Sequence, residues 1–247
     1  MKKIAVVTGA SSGIGRACAL ALLMQDWAVV LVGRRADALQ AVVAESGKSD
    51  AVPMPADVSD EAQVKRLFDT VQKKYGRLDL LFNNAGISLP YALPSELSGE
   101  DWRNAVNVNL HGAFYCLSHA FALMKAQTPQ GGRIINNGSI SAHTPRPGSI
   151  AYTATKHAVS GLTKTANLDG RVFNIAVGQI DIGNVASDMT LKMANGVMQA
   201  DGSIKPEACM DMSAVVDTFL AMANLPLSAN ILTATVMATQ MPYVGRG

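Results

Sequence analysis

Short apolar runs alternate along this chain with longer stretches of helical period. Lys3–Thr8 reads as a buried strand and Gly13–Gln25 as a helix with one apolar face. Ala28–Gly33 is a second β-branched run, followed by helical Ala36–Glu45, and Ala51–Met54 is a weaker strand. Asp60–Tyr75 has a helical period with Ser59 placed as its N-cap, and Leu78–Asn83 is again a strand. Asp101–Ala126 reads as one long helix with strain around Asn107–Asn109. Arg133–Asn137 is a strand after the turn pair Gly131-Gly132, Ala151–Leu168 a helix and Val172–Val177 a strand. Gly183–Met212 has no clear period, Ser213–Asn224 is helical and Ile231–Met237 is the last strand. Strand and helix in strict alternation predict an α/β fold, a doubly wound parallel sheet with helices on both faces. Residues 1–247 show no repeat, low-complexity tract or linker, so they read as a single domain.

Composition narrows the class. At 49% hydrophobic, the 247 residues fill a sizeable core and exclude a disordered chain. A formal charge of +2 is too balanced to predict binding to nucleic acid or an anionic membrane. Ala17–Met24 and Ala28–Val32 fall short of the ~18 apolar residues of a membrane span. Met1-Lys2-Lys3 is followed only by Ile4–Val7, shorter than the ~7–15 residues of a signal-peptide core. Cys18, Cys116 and Cys209 lie far apart with no CxxC, which predicts reduced thiols, a cytoplasmic protein and three small buried hydrophobes. His111, His119, His143 and His157 lack metal-ligand spacing, so no metal site is expected. His143 follows Ser139 closely enough to line a pocket with it.

Gly9-Ala10-Ser11-Ser12-Gly13-Ile14-Gly15 lies between the first strand and the first helix. Glycines there permit the turn, let the backbone approach a ligand and let the helix pack closely on the sheet. The helix start then offers free N–H groups to a pyrophosphate. Gly9, Ser11 and Gly13 also fit the GxSxG nucleophile elbow of hydrolases. That rival lacks support, because the elbow follows only one strand and no histidine follows His157.

Tyr152 and Lys156 stand four apart on a predicted helix and share a face. A tyrosine is a poor base near neutral pH, and a cation beside it favours the phenolate. Such a pair can give a proton to a carbonyl oxygen or take one from an alcohol. Ser139, thirteen positions before Tyr152, supplies a hydroxyl that can hold the same oxygen.

With these motifs in order, the chain resembles the short-chain dehydrogenase/reductase family over nearly its whole length. Thr8–Gly15 is similar to the family's TGxxxGIG, Asp57-Val58 to its adenine-contacting acid, and Asn83-Asn84-Ala85-Gly86 to its NNAG. Asn109, Ser139, Tyr152 and Lys156 are similar to its catalytic tetrad. The resemblance implies a Rossmann-type sheet of about seven strands and hydride transfer between a nicotinamide cofactor and a carbonyl or secondary alcohol. By it, Tyr152 is the general acid or base, Lys156 favours the phenolate and holds the nicotinamide ribose, and Ser139 polarises the substrate oxygen. Asn109 kinks its helix and positions a water. The cofactor residues it implies are Gly9, Ser11, Ser12, Gly13, Ile14, Gly15, Asp57, Val58, Asn83, Ala85 and Gly86, with Tyr152 and Lys156. It also implies a homo-oligomer, a dimer or tetramer.

Three features depart from the pattern or refine it. The family's PG pair after the sixth strand is matched to Val177-Gly178, with the later threonine at Ile182, so Gly178 and the backbone of Ile180 are expected to anchor the nicotinamide. The second strand ends in Gly33 where NAD-selective sites carry an acid, and Arg34-Arg35 follow. A guanidinium binds phosphate bidentately, which predicts NADP(H), the alternative being two arginines that only solvate a loop. Gly183–Met212 carries Met189, Met193, Met198, Met210 and Met212 and reads as a substrate lid or a subunit contact. The function expected is therefore an NADP-dependent alcohol/ketone oxidoreductase. A 3-oxoacyl thioester reductase and a non-catalytic dinucleotide-binding regulator are the alternatives.

Overall fold

The computed structural model describes residues 2–186 and 196–244. Its first strand, β1 (Ile4–Thr8), is buried at every position. It leads through the glycine turn into α1 (Gly13–Met24). Next come β2 (Ala28–Gly33), α2 (Ala36–Ser46), β3 (Ala51–Pro55), α3 (Glu61–Tyr75) and β4 (Leu80–Asn83). The second half holds α4 (Gly99–Val106), α5 (Gly112–Ala126), β5 (Gly132–Asn137), α6 (Ile150–Gly170) and β6 (Ile175–Ile182). After it come β7 (Val197–Met198), β8 (Ile204–Lys205), α7 (Met212–Asn224) and β9 (Thr233–Val236).

Seven strands form one sheet in the order β3-β2-β1-β4-β5-β6-β9. Every pairing in it is parallel. This is the Rossmann-type doubly wound arrangement. The chain winds outward from β1 to β3, then returns to start β4 on the other side of β1. Successive crossovers diverge at that point, and a crevice opens at the carboxyl ends of β1 and β4. Alternate strand residues feed two cores. Val7, Leu31, Phe82 and Ile135 meet Leu22 of α1 and Phe219 of α7, while Val6, Val30, Leu81 and Ile134 meet Phe68 of α3 and Met124 of α5. Burial on both faces explains why the strands read as continuous apolar runs.

Several boundaries differ from the sequence expectation. Asp60, not Ser59, caps α3, accepting a hydrogen bond from the Gln63 N–H at 3.1 Å. Ser59 is drawn away instead, because its N–H and hydroxyl both donate to Asp57 Oδ1. The long helix expected over Asp101–Ala126 is α4 and α5 joined by a π-helical turn at Asn107–His111, at the predicted strain. The sixth strand is not Val172–Val177. Val172 lies in a 3₁₀ turn, Arg171–Phe173, that ends at left-handed Asn174, and β6 then runs on to Ile182. Gln179 and Asp181 break the apolar run in the sequence, yet both are buried with their polar atoms paired.

The described part of Gly183–Met212 is not featureless. β7 and β8 pair antiparallel, and Val185 bridges to Met210. Arg146 pairs with buried Glu207, which also accepts from Asn184 Nδ2 at 2.9 Å. Met189 and Met193 lie outside the described residues. Arg133 at the start of β5 is buried and clamps the far end of the sheet. Its guanidinium donates to the carbonyls of Leu225, Pro226 and Ala229 and to Asn230 Oδ1, at 2.9–3.2 Å. Cys18 and Cys116 are buried, but Cys209 is exposed, contrary to expectation. Among the described residues no helix is long and apolar enough to cross a membrane.

Candidate active site

A cleft of about 630 Å³ occupies the crevice at the carboxyl ends of the strands. Its floor is the glycine turn. Gly9 and Gly13 have φ of +65° and +52°, a left-handed conformation that side chains resist. A Cβ on Gly13 would meet nothing within 4 Å, so the turn leaves open space above it. Gly15 has the opposite surroundings: a Cβ there would land on the Gly9 carbonyl oxygen, so this glycine sits behind the turn and serves packing. Ser11, Ser12, Gly13 and Ile14 line the cleft. The first turn of α1 carries no acidic residue and its N-cap makes no side-chain hydrogen bond. Free N–H groups, the positive dipole end and open space together fit a pyrophosphate.

A line of hydrogen bonds ties this turn to α6, the helix that carries Tyr152 and Lys156. Thr8 Oγ1 accepts from the N–H groups of Asn84 and Ala85, both at 2.9 Å. Asn84 Nδ2 donates to the Thr8 carbonyl at 2.9 Å, and Asn84 Oδ1 accepts from Asn137 Nδ2 at 2.8 Å. Lys156 Nζ donates to the Asn137 carbonyl at 2.7 Å. The ends of β1, β4 and β5 are thus locked to α6 by side chains rather than by sheet pairing.

Tyr152 and Lys156 face the cleft together, with Lys156 Nζ 5.5 Å from the centre of the Tyr152 ring. Lys156 is only 5% exposed. Ser139 follows β5, is buried, and caps a 3₁₀ turn over Ile140–Ala142 by accepting from the Ser141 N–H. Its own N–H donates to Asp181 Oδ1 at 2.9 Å. Asn109 sits behind the cleft in the π-helical turn, bound to Ile87 and to Thr155 Oγ1.

At the other end of the cleft stand Gly33, Arg34, Arg35, Asp57 and Val58. Arg35 reaches Ser11 Oγ at 3.4 Å. The nearest atoms to a Cβ on Gly33 are 3.5 Å away, so the missing side chain leaves room rather than relieving a clash. Asp57 Oδ1 is engaged by Ser59. Ala85 and Gly86 line the cleft as expected.

Six assigned residues are not among those that line it: Gly15, Asn109 and Ser139, described above, and Asn83, Gly178 and Ile180. Asn83 points into the core, donating to the Ala113 carbonyl at 2.7 Å and to Asn136 Oδ1 at 3.1 Å, and its neighbour Asn84 lines the cleft instead. Gly178 lies within β6, where a Cβ would strike the Ile231 carbonyl oxygen. Ile180 is fully buried in the sheet. Because β6 continues to Ile182, the positions beside the cleft are Ile182, Gly183 and Val185. The alternation Ile180-Asp181-Ile182 was the available signal. Ile87, Ser88, Val108 and Gly138 also line the cleft and carried no sequence signal.

The short chain dehydrogenase family model matches residues 3–197. A 3beta-hydroxysteroid dehydrogenase of Mediterraneibacter gnavus is 42% identical over 170 residues, covering 68% of this chain and 60% of that protein. A 3-oxoacyl-[acyl-carrier-protein] reductase of Synechocystis is 37% identical over 76% of each chain. Among solved structures, ElxO with NADP bound is 30% identical, covers 96% of both chains and superposes with a TM-score of 0.82. The chain belongs to the short-chain dehydrogenase family.

Proposed function

We propose that this protein is an NADP(H)-dependent oxidoreductase that moves a hydride between the cofactor and a carbonyl or secondary alcohol carbon. The observation that carries the reading is that Tyr152 and Lys156 face the same cleft as the glycine turn. In a dinucleotide laid along that cleft, the start of α1 would hold the pyrophosphate and Tyr152 would stand at the nicotinamide end. Arg34 and Arg35 would take the 2′-phosphate, with no carboxylate at Gly33 to oppose it. The NADP-bound relative supports this preference.

When bound, the reduced dinucleotide supplies the hydride. The chain supplies position and protons. The Tyr152 hydroxyl gives its proton to the substrate oxygen in reduction and takes it back in oxidation. Lys156 places a buried positive charge beside the Tyr152 ring and, anchored on Asn137, is held where it can also reach a ribose hydroxyl. Ser139 Oγ is fixed by the Ser141 N–H and keeps its own hydrogen to donate to the substrate oxygen. Asn109 fixes the loop at Ile87 that forms one wall.

Reduction of a 3-oxoacyl thioester is the second reading, favoured by the likeness to the Synechocystis reductase. One experiment tests both: oxidation of NADPH, followed at its absorbance band, with ketones, aldehydes and 3-oxoacyl thioesters. Turnover of ketones supports the first reading, and turnover confined to thioesters supports the second. Tight NADPH binding without turnover of any carbonyl leaves a dinucleotide-binding regulator.

A further inference from the structure

Asp181 is fully buried near the end of β6, two residues before cleft-lining Gly183, and the proton transfer above does not use it. Its two oxygens are used differently. Oδ1 accepts from the Ser139 N–H at 2.9 Å and from Gln179 Nε2 at 2.7 Å. Oδ2 meets His143 Nε2 at 2.9 Å. A carboxylate only accepts, so His143 Nε2 carries the hydrogen, and the unprotonated ring nitrogen in the neutral imidazole is Nδ1. Among the described residues, Asp181 is the only hydrogen-bond partner of the His143 ring. The His143 side chain is 43% exposed although its partner is at 0%. The ring therefore has one edge on a buried anchor and the other open.

His143 lies one short turn beyond Ser139 in the chain. The 3₁₀ turn Ile140–Ala142 joins Ser139 to His143, and the His143 N–H bonds back to Ile140. Ser139 and His143 also hold opposite oxygens of one carboxylate, so both are fixed to one point. The 3₁₀ turn packs on α6, the helix of Tyr152.

We propose that Asp181 and His143 form a substrate-reading pair beside Ser139. Asp181 is a positioning residue that fixes both the Ser139 backbone and the imidazole tautomer. His143 Nδ1 accepts a hydrogen bond, so the preferred carbonyl substrate carries an O–H or N–H donor next to its reacting carbon. The proposal rests on the oxidoreductase reading and names a substrate class for it.

The probes are acetoin, its methyl ether, diacetyl and butanone, with NADPH. Acetoin offers a hydroxyl donor beside the carbonyl, its ether and diacetyl offer only acceptors, and butanone offers neither. Wild type is expected to prefer acetoin to the ether by kcat/KM. His143→Leu should lower that preference about threefold to tenfold, the worth of one neutral hydrogen bond. Asp181→Asn gives a sharper test. Two donors on Oδ1 keep the amide oxygen there, so the new NH₂ faces His143 Nε2 and forces the ring hydrogen onto Nδ1. Preference should then move from acetoin towards diacetyl, a change that simple loosening of the site would not produce. Nitrogen NMR of His143 reads the tautomer directly, with the hydrogen on Nε2 in wild type and on Nδ1 in Asp181→Asn. If Asp181→Asn does not fold, His143→Leu and the wild-type spectrum still decide. An unchanged acetoin preference in His143→Leu, or a wild-type ring hydrogen on Nδ1, overturns the proposal alone. So does a wild type that reduces butanone but not acetoin. A wild type that oxidises NADPH with no carbonyl overturns the oxidoreductase reading and this proposal with it.

Discussion

Asn109 grips the backbone of Ile87 with both atoms of its amide. Oδ1 accepts from the Ile87 N–H at 2.7 Å and Nδ2 donates to the Ile87 carbonyl at 2.9 Å. The π-helical turn at Asn107–His111 brings a helix side chain into that position, and a wall of the cleft depends on it. Asn109→Asp keeps the acceptor and loses the donor. It should cost about 1–3 kcal/mol, the penalty for a buried group left unpaired. Urea unfolding of the two proteins measures it. Equal midpoints and slopes would show that the grip is dispensable.

Tyr152→Phe removes one hydroxyl from a helix whose other contacts remain. Turnover should fall about 10²–10⁴-fold, the usual worth of a general acid. NADPH affinity, read by fluorescence titration, should stay within a few-fold. Near wild-type turnover would remove Tyr152 from the chemistry.

Gly33→Asp combined with Arg34→Ala should move preference from NADPH to NADH. The Cβ of the new aspartate fits, because the nearest atoms are 3.5 Å away. Losing a charge-assisted contact to phosphate and gaining one to a ribose hydroxyl should change the ratio of dissociation constants about tenfold to a hundredfold. Equal affinity of the unaltered protein for both cofactors would refute the assignment of Arg34.

Thiol reactivity should separate the three cysteines. Burial pushes the Cys116 thiol up to about 12 and raises Cys18 as well, so neither supplies thiolate in neutral solution. Cys209 is exposed. Ellman's reagent should therefore find one reactive thiol in the folded protein and all three after denaturation.

Where period and turn chemistry agreed, the sequence was a good guide. Lys3–Thr8, Ala28–Gly33 and the glycine turn between them appear in the structure within a residue or two. Tyr152 and Lys156 share one cleft because four helical positions put them on one face. The errors cluster where polar residues are buried. Gln179 and Asp181 interrupt the apolar run after Val177, where the expected strand stops, whereas β6 continues to Ile182. Their partners, Thr163, Ser160, Ser139 and His143, are distant in sequence, so no local pattern announces the burial. Asn83 and Asn84 are adjacent in a strand-end motif, and only the pleat decides which faces the core.

The Arg133 clamp has a consequence for how the protein meets acid. Its guanidinium is held by three backbone carbonyls and an amide oxygen, and no carboxylate partners it among the described residues. A joint that pairs an arginine with a carboxylate loses its anion once that carboxylate takes up a proton. The acceptors around Arg133 have no proton to gain in that range. As the medium is acidified, the junction between β5 and the segment following α7 keeps the four acceptors that hold the guanidinium.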